Sequence, residues 1–252
     1  MPKSKAPRDQ SLEQSFGPLC RSHLLRMQQV LLSSQQVLYT PRGFAEGKLS
    51  MTALRLTKGD GSVRERLLAA AYDLFSVHGI HKVGIDTILE KSGCAKASLY
   101  NNFDSKEALA IAYLERREAL WTQAWLFAEV RRRARSPRAQ LLAIFDVFDG
   151  WFQRRSFEGC SFVNVLLESQ PQGPVRREAA AHLAQIRAHL REMAAAAGFA
   201  DLDKFTQVFH MLMKGSIVTA CEGNRNAARE AKDAARILMD GWRKVRRRAA
   251  AQ

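Results

Sequence analysis

One short segment limits the fold of this chain more than any other. Residues 84–109 read GIDTILEKSGCAKASLYNNFDSKEAL. The apolar residues of this segment recur at helical spacing in two groups, Ile85, Ile88 and Leu89, then Leu99 and Phe103. Between them, Gly93 can take the left-handed conformation that ends a helix. The segment therefore predicts two short helices that meet at a tight turn, followed by the start of a third helix.

The pattern of the second helix predicts that its polar residues face outward. If Leu99 and Phe103 pack inward, the remaining residues face outward: Lys96, Ala97, Ser98, Tyr100, Asn101 and Asn102. A cation, a hydroxyl, a phenol and two amides are groups that bond phosphates and base edges. Ser105 is a good N-cap for the third helix, and Lys106 follows in its first turn, where a phosphate can also meet free backbone N–H groups. This pattern favours a helix-turn-helix that enters the major groove of DNA.

Two other interpretations of the chain stay open. A helical hairpin with a polar solvent face can instead dock another protein. The basic run at residues 243–248, together with an N-terminal arm, can instead bind nucleic acid without sequence preference. The run is equally typical of a solvated helix end, where cations suit the helix dipole.

Residues 62–113 resemble the N-terminal DNA-binding domain of the TetR (tetracycline-repressor-like) transcriptional regulators. The matching residues span three helices: Ala71, Leu74, Phe75, Gly79, Ile88, Gly93, Leu99, Tyr100, Phe103, Lys106 and Leu109. The resemblance implies that Tyr100 and Lys106 bind phosphates and that residues 96–102 supply most groove contacts. We add Thr87 on the preceding helix to this set. The sequence departs from the family at Gly84 and Ala95, where Thr or Ser usually caps a helix, and at Asn102, where an aromatic residue or His is common.

Charge does not by itself identify the DNA-binding region. The chain carries a formal net charge of +14, yet residues 58–110 hold seven Lys and Arg and seven Asp and Glu. Contact with phosphates then depends on where a few cations lie. The candidates are Arg64, Lys82, Lys96 and Lys106.

The sequence divides into three regions. Residues 1–57 form an irregular N-terminal extension that mixes Pro and Gly with many Ser and Gln. Our hypothesis is that translation begins near Met51, and the alternative is a genuine flexible arm that reaches a minor groove. Residues 58–108 are the predicted helix-turn-helix domain, and residues 109–248 are a predicted helical domain for ligand binding and dimerisation.

From Ser62 onward the apolar periodicity is helical almost without interruption, which predicts an all-α protein of about nine helices. A long helix is expected over residues 105–131, with Leu120 and Ala124 facing inward. The last two helices, over 202–221 and 227–245, have wide apolar stripes that can face both the core and a second subunit. We therefore predict a homodimer through residues 202–245. The alternative is that one subunit buries both faces.

Aromatic residues concentrate in the middle of the chain, where the resemblance implies a site for a small-molecule effector of unknown identity. The predicted ligand-binding residues are Trp121, Trp125, Phe148, Trp151, Phe162, Asn164 and His182. An apolar pocket with a few polar groups is typical of such sites. The alternative is that these residues form ordinary core.

Several functional classes lack support in the sequence. No apolar run approaches the ~18 residues that a membrane span needs, and no signal peptide is visible. Four widely spaced cysteines favour free thiols in a reducing cytoplasm. His78 and His81 are separated by a helix-breaking glycine, so no metal pair is expected. We predict no metal, no cofactor and no catalytic set, and hence no enzyme.

Together these observations predict a ligand-responsive regulator of transcription. Its partners would be a double-stranded, near-palindromic DNA operator and a small-molecule effector, with the effector releasing a repressor from the DNA. No membrane partner is expected.

Overall fold

The computed structural model describes residues 61–245, and this part of the chain is built from helices. They are α1 (Val63–His78), α2 (Ile85–Ser92), α3 (Lys96–Asn102), α4 (Lys106–Arg117), the π-helix π1 (Glu118–Phe127), α5 (Ala128–Arg133), α6 (Pro137–Phe152), α7 (Ser161–Glu168), α8 (Pro174–Ala196), α9 (Leu202–Cys221) and α10 (Ala227–Gly241). Because α4, π1 and α5 form one continuous rod, residues 61–245 contain nine helices and no strand, which confirms the predicted all-α class. The predictions for residues 1–57 lie outside the described residues.

The ends of the first helices follow the capping residues in the sequence. The Ser62 side chain accepts a hydrogen bond from the Glu65 amide at 3.3 Å and starts α1, and Gly79 ends it with φ +80°. The Ser105 side chain accepts from the Ala108 amide at 3.1 Å and starts α4. These contacts satisfy backbone groups that a helix end otherwise leaves free.

The central rod differs from the prediction of one uniform α-helix over residues 105–131. It extends to Arg133, and ten residues in its middle are wound as a π-helix. Hydrogen bonds in a π-helix run from residue i to i+5, so each turn holds more residues and the inward face changes. Leu120 is only half-buried and Ala124 is exposed, whereas Glu118 and Thr122 are buried.

The end of the last helix also differs from the prediction, because α10 stops at Gly241 instead of continuing to residue 245. The chain then runs extended beside residues 198–200. The Ala200 amide donates to the Arg243 carbonyl at 2.9 Å, and the Trp242 indole donates to the Ala200 carbonyl at 2.8 Å. The first residues of the basic run therefore lie in extended backbone, not on a helix end, and residues 246–248 lie outside the described part.

The apolar core runs without a break from the first three helices into the rest of the unit. α1 packs on α2, α3 and α4, while α6 and α8 to α10 pack around one another farther along the chain. Among residues 61–245, none of the helices combines the length and the apolar character that crossing a bilayer requires.

Candidate nucleic-acid interface

The turn between α2 and α3 fixes the orientation of α3. Gly93 is left-handed, with φ +65° and ψ +29°, and its amide donates to the Leu89 carbonyl at 2.9 Å. Leu99 is fully buried and Phe103 is 4% exposed, so one side of α3 is anchored in the core. These contacts confirm the predicted packing and leave the other side of α3 free.

The α3 residues that are predicted to contact DNA are accessible on that free side. Lys96, Ala97, Tyr100 and Asn101 are exposed, and Ser98 and Asn102 are half-buried. The Asn102 side-chain amide donates to the Ser98 carbonyl at 2.8 Å, so part of its hydrogen-bonding capacity is used within α3. Thr87 is exposed on α2, the neighbouring helix. The structure thus leaves all of these residues at least partly accessible, on α3 and on the neighbouring α2.

The cations of the helix-turn-helix region differ in how they are held. Lys106 lies in the first turn of α4 and is half-buried, and this burial lowers the pKa of its ammonium group. The Arg64 guanidinium lies 4.7 Å from the centre of the Phe103 ring. Lys91 forms an ion pair with Asp73 at 3.0 Å. Lys96 and Lys82 are exposed.

Two of the three departures from the family pattern leave a helix without a side-chain cap. Neither Gly84, which precedes α2, nor Ala95, which precedes α3, makes a side-chain capping hydrogen bond. Glycine is tolerated at a cap position, whereas alanine in place of a capping residue costs a helix about 0.5–2 kcal/mol. α3 therefore starts without a side-chain acceptor that would stabilise its first turn.

A buried arginine connects the helix-turn-helix to the remaining helices, and the sequence analysis did not single it out. Arg117 in α4 is 2% exposed. Its guanidinium donates to the Tyr72 hydroxyl of α1 at 3.3 Å and pairs with the Glu158 carboxylate at 2.7 Å. Burial alone would lower the pKa of Arg117, but Tyr72, Tyr113 and Glu158 outweigh burial and raise it, so the group stays charged.

A second contact joins the same regions. Tyr113 in α4 is 1% exposed, and burial raises the pKa of its phenol. Its hydroxyl lies 3.5 Å from Ser76 of α1 and also bonds with Ser161 at the start of α7. α1 and α7 are therefore linked through one residue of α4.

The predicted effector residues fall into two groups. Trp121, Trp125, Phe148 and Trp151 pack ring against ring, with the Trp121 and Trp151 centroids 4.9 Å apart. Phe162 instead lies against His182, with centroids 5.1 Å apart. Asn164 is exposed on α7. Ligand binding by these residues stays a prediction.

Buried polar groups between the two aromatic groups were missed by the sequence analysis. Glu118 is 1% exposed, accepts from the Gln123 amide at 2.9 Å and lies 4.0 Å from His182. Its Oε2 atom and the buried Thr122 hydroxyl have no hydrogen-bond partner among residues 61–245. The signal was a carboxylate four residues after Leu114 and three before Trp121, a spacing that places Glu118 on the same buried face of the rod as those two residues.

A groove of about 460 Å³ runs between α9 and α10. Met211 and Val218 are exposed on α9 and Ile237 on α10, while Gly215 and Ala234 are among the residues that line the groove. Among residues 61–245, no group of three or more His, Cys, Asp or Glu is arranged to hold a metal ion.

The short helices α2 and α3 form a helix-turn-helix, and comparison with known sequences agrees. The family described as "Bacterial regulatory proteins, tetR family" matches residues 67–113. An uncharacterized HTH-type transcriptional regulator of Lactococcus lactis is 27% identical over 108 residues, which is 42% of this chain and 55% of the relative. The chain thus spans about half the length of that curated relative.

Solved structures agree over a larger part of the chain. SCO4454, a TetR-family transcriptional regulator from Streptomyces coelicolor, is similar with a TM-score of 0.63 and 25% identity over 71% of this chain and 88% of its own. A putative TetR regulator from Streptomyces avermitilis is similar with a TM-score of 0.61 and 28% identity, over 70% of this chain and 99% of its own. The chain is thus similar to TetR-family transcriptional regulators, both over residues 67–113 in sequence and over most of the described residues in fold.

Proposed function

We propose that this chain is a homodimeric repressor that binds a specific DNA operator and leaves it when a small molecule binds. The observation that carries the proposal is the polar edge of α3, which the buried Leu99 and Phe103 hold away from the core. Tyr100 and Lys106 contact phosphates, and the other contacts come from residues on the same edge: Thr87, Lys96, Ala97, Ser98, Asn101 and Asn102. Amide and small side chains in a DNA groove distinguish bases, and cations that bind phosphates fix the position of the protein on the DNA backbone.

The groove surface of α9 and α10 supports a two-fold dimer. Met211, Val218 and Ile237 project from this surface, and Gly215 and Ala234 leave room beside them. A two-fold axis places the projecting residues of one copy in the recesses of the other, which is the self-complementary pattern of such an interface. Two reading helices would then enter successive major grooves ~34–36 Å apart on a near-palindromic operator.

The effector is proposed to act through the central rod. The rod contributes Lys106 to the DNA edge, Arg117 to the contact with α1, and Trp121 to the aromatic group. A ligand changes DNA affinity only if it prefers a dimer whose reading helices are wrongly spaced. We assign effector binding to the aromatic and polar groups around π1, including Trp125, Phe148, Trp151, Phe162, Asn164 and His182.

The remaining predictions complete the proposal. Residues 58–108 form the DNA-reading domain and residues 109–248 the effector and dimer domain. The protein acts in the cytoplasm, where its operator lies. The proposal needs no cofactor and no metal.

The test is selection of bound fragments from sheared genomic DNA at physiological salt, followed by sequencing. We expect enrichment of one near-palindromic site, with Asn101→Ala changing the preferred bases. Equal recovery of all fragments, lost on deletion of residues 243–252, would identify a nonspecific basic binder instead. No recovery of DNA together with a retained protein partner would identify a docking module.

A further inference from the structure

Three side chains from distant parts of the sequence meet at the start of α7. Cys160 precedes α7, and Lys214 and Cys221 lie seven residues apart on one face of α9. The Lys214 ammonium donates to the Cys160 sulfur at 3.5 Å. A Cβ atom built on Gly159 would lie 3.0 Å from the Cys221 sulfur. Two thiols and one cation therefore share a small region.

Gly159 makes this approach possible. Its φ is +77°, and a side chain at this position would meet the Cys221 sulfur. Cys160 is 7% exposed while Cys221 is exposed, so the pair has one buried and one solvent-facing thiol. Burial, and to a smaller extent Cys160, raises the pKa of the Cys221 thiol.

The surroundings of Cys160 favour attack on an oxidant. A cysteine sulfur reduces peroxide by acting as a nucleophile. The Cys160 sulfur lies at the N-cap position of α7 and accepts a hydrogen bond from the Lys214 ammonium, so a cation and a helix start both adjoin the reacting atom. The solvent-facing thiol beside it is placed to resolve an oxidised intermediate.

We propose that Cys160 and Cys221 form a peroxide-sensitive thiol pair. The Cys160 thiolate attacks one oxygen of hydrogen peroxide and breaks the O–O bond, which gives a sulfenic acid and, after protonation, one water. The Cys221 sulfur then attacks the Cys160 sulfur, an S–S bond forms, the S–O bond breaks, and a second water leaves with the thiol proton. Two thiols lose two electrons, and one peroxide gains them.

This pair lies close to the connection between the helix-turn-helix and the remaining helices. Glu158, two residues before Cys160, pairs with Arg117, which contacts Tyr72 in α1. Ser161, the next residue after Cys160, bonds with Tyr113. A disulfide that pulls on residue 160 therefore acts on both contacts. This consequence for DNA binding rests on the proposed function, whereas the oxidation chemistry does not.

The test uses the full chain with Cys20→Ser and Cys94→Ser, so that two thiols remain. Reduced protein is treated with hydrogen peroxide and followed by intact mass and by non-reducing peptide mapping. We expect a loss of about 2 Da and a peptide that joins Cys160 to Cys221, both reversed by dithiothreitol. Lys214→Met should slow the reaction several-fold, and Lys214→Arg should restore it because the cation returns.

Two results would overturn the thiol pair. One is oxidation to sulfinic acid without a Cys160–Cys221 peptide. The other is a loss of about 2 Da that persists after Cys221→Ser, which would show that the Cys160 sulfur bonds to another nucleophile such as the Lys214 amine. Operator affinity of the mapped disulfide form is measured separately, and an unchanged value overturns only the link to DNA binding.

Discussion

The Arg117 guanidinium lies 2.7 Å from the Glu158 carboxylate, with the Arg117 side chain 3% and the Glu158 side chain 20% exposed. This ion pair joins the central rod to the loop before α7, and the same arginine contacts Tyr72 of α1. A buried pair with a second hydrogen-bond partner holds a fixed geometry, because removal of either charge leaves the other desolvated.

Arg117→Met should therefore destabilise the protein. We expect a loss of about 1–3 kcal/mol in the free energy of unfolding, below the full cost of a buried pair because Glu158 is partly hydrated. Urea unfolding of Arg117→Met, Glu158→Gln and the double variant gives the coupling energy. Arg236→Met, which breaks the exposed pair with Asp233, is the control and should change little. Additive effects of the two single changes would show that this pair carries no coupling.

Lys106→Ala should weaken binding to every DNA sequence alike. Its ammonium lies at the first turn of α4, beside backbone N–H groups that also attract a phosphate. The loss of one phosphate contact lowers the slope of log affinity against log salt by about one. Fluorescence anisotropy across a salt series measures the slope. Lys204→Ala removes an equal charge from an exposed position on α9 and should leave the slope unchanged.

Ala95→Ser should stabilise the reading helix. Ala95 has φ −73° and ψ 153°, the extended conformation of an N-cap residue, and lacks the capping oxygen. A serine there should add about 0.5–2 kcal/mol to the stability of the helix start. We expect slower amide hydrogen exchange in residues 96–99 and unchanged exchange in α8. Ala180→Ser, in the exposed middle of α8, has no such end to cap, so a similar gain there would refute the explanation.

Gly215→Glu should separate the proposed dimer without unfolding the subunit. A side chain at Gly215 meets nothing within 4 Å of the same chain, and it points into the α9–α10 groove. Replacing a helical glycine also favours the helix by up to about 1 kcal/mol. Sedimentation velocity should show a folded monomer. Gly150→Glu is the matched control, since Gly150 is also helical and unobstructed but lies on α6. An intact Gly215→Glu dimer would exclude this interface.

His210 should make the protein less stable in mild acid. Burial, followed by Lys214 and Arg187, lowers its pKa to about 3, so it stays neutral when folded. The unfolded chain takes up a proton below a pH of about 6.5, so stability is lost as the pH falls from there towards 3, at up to about 1.4 kcal/mol per pH unit.

His210→Phe should flatten this pH dependence in chemical unfolding measured between pH 7 and pH 5. His81→Gln removes an exposed histidine and serves as the control. Equal slopes for the native protein and His210→Phe would mean that other groups govern acid stability.

Local patterns in the sequence determined the helix-turn-helix. Ser62, Gly79, Gly93 and Ser105 set helix ends through their own backbone and side-chain preferences, and Leu99 marked the buried side of α3. These effects act within a few residues, so periodicity and capping residues predict them. The all-α class followed from the same periodicity.

Tertiary packing decided what local preferences leave open. The rod is wound as a π-helix over residues 118–127, the residues after Gly241 pair with residues 198–200, and Arg117 meets Glu158 across 41 positions of sequence. Each arrangement depends on groups that are distant in the chain and supply the hydrogen bonds or apolar cover that the local sequence lacks. The sequence by itself thus determined which side of α3 is buried and which is exposed, and only the folded structure decided how α3 and its neighbours connect to the rest of the protein.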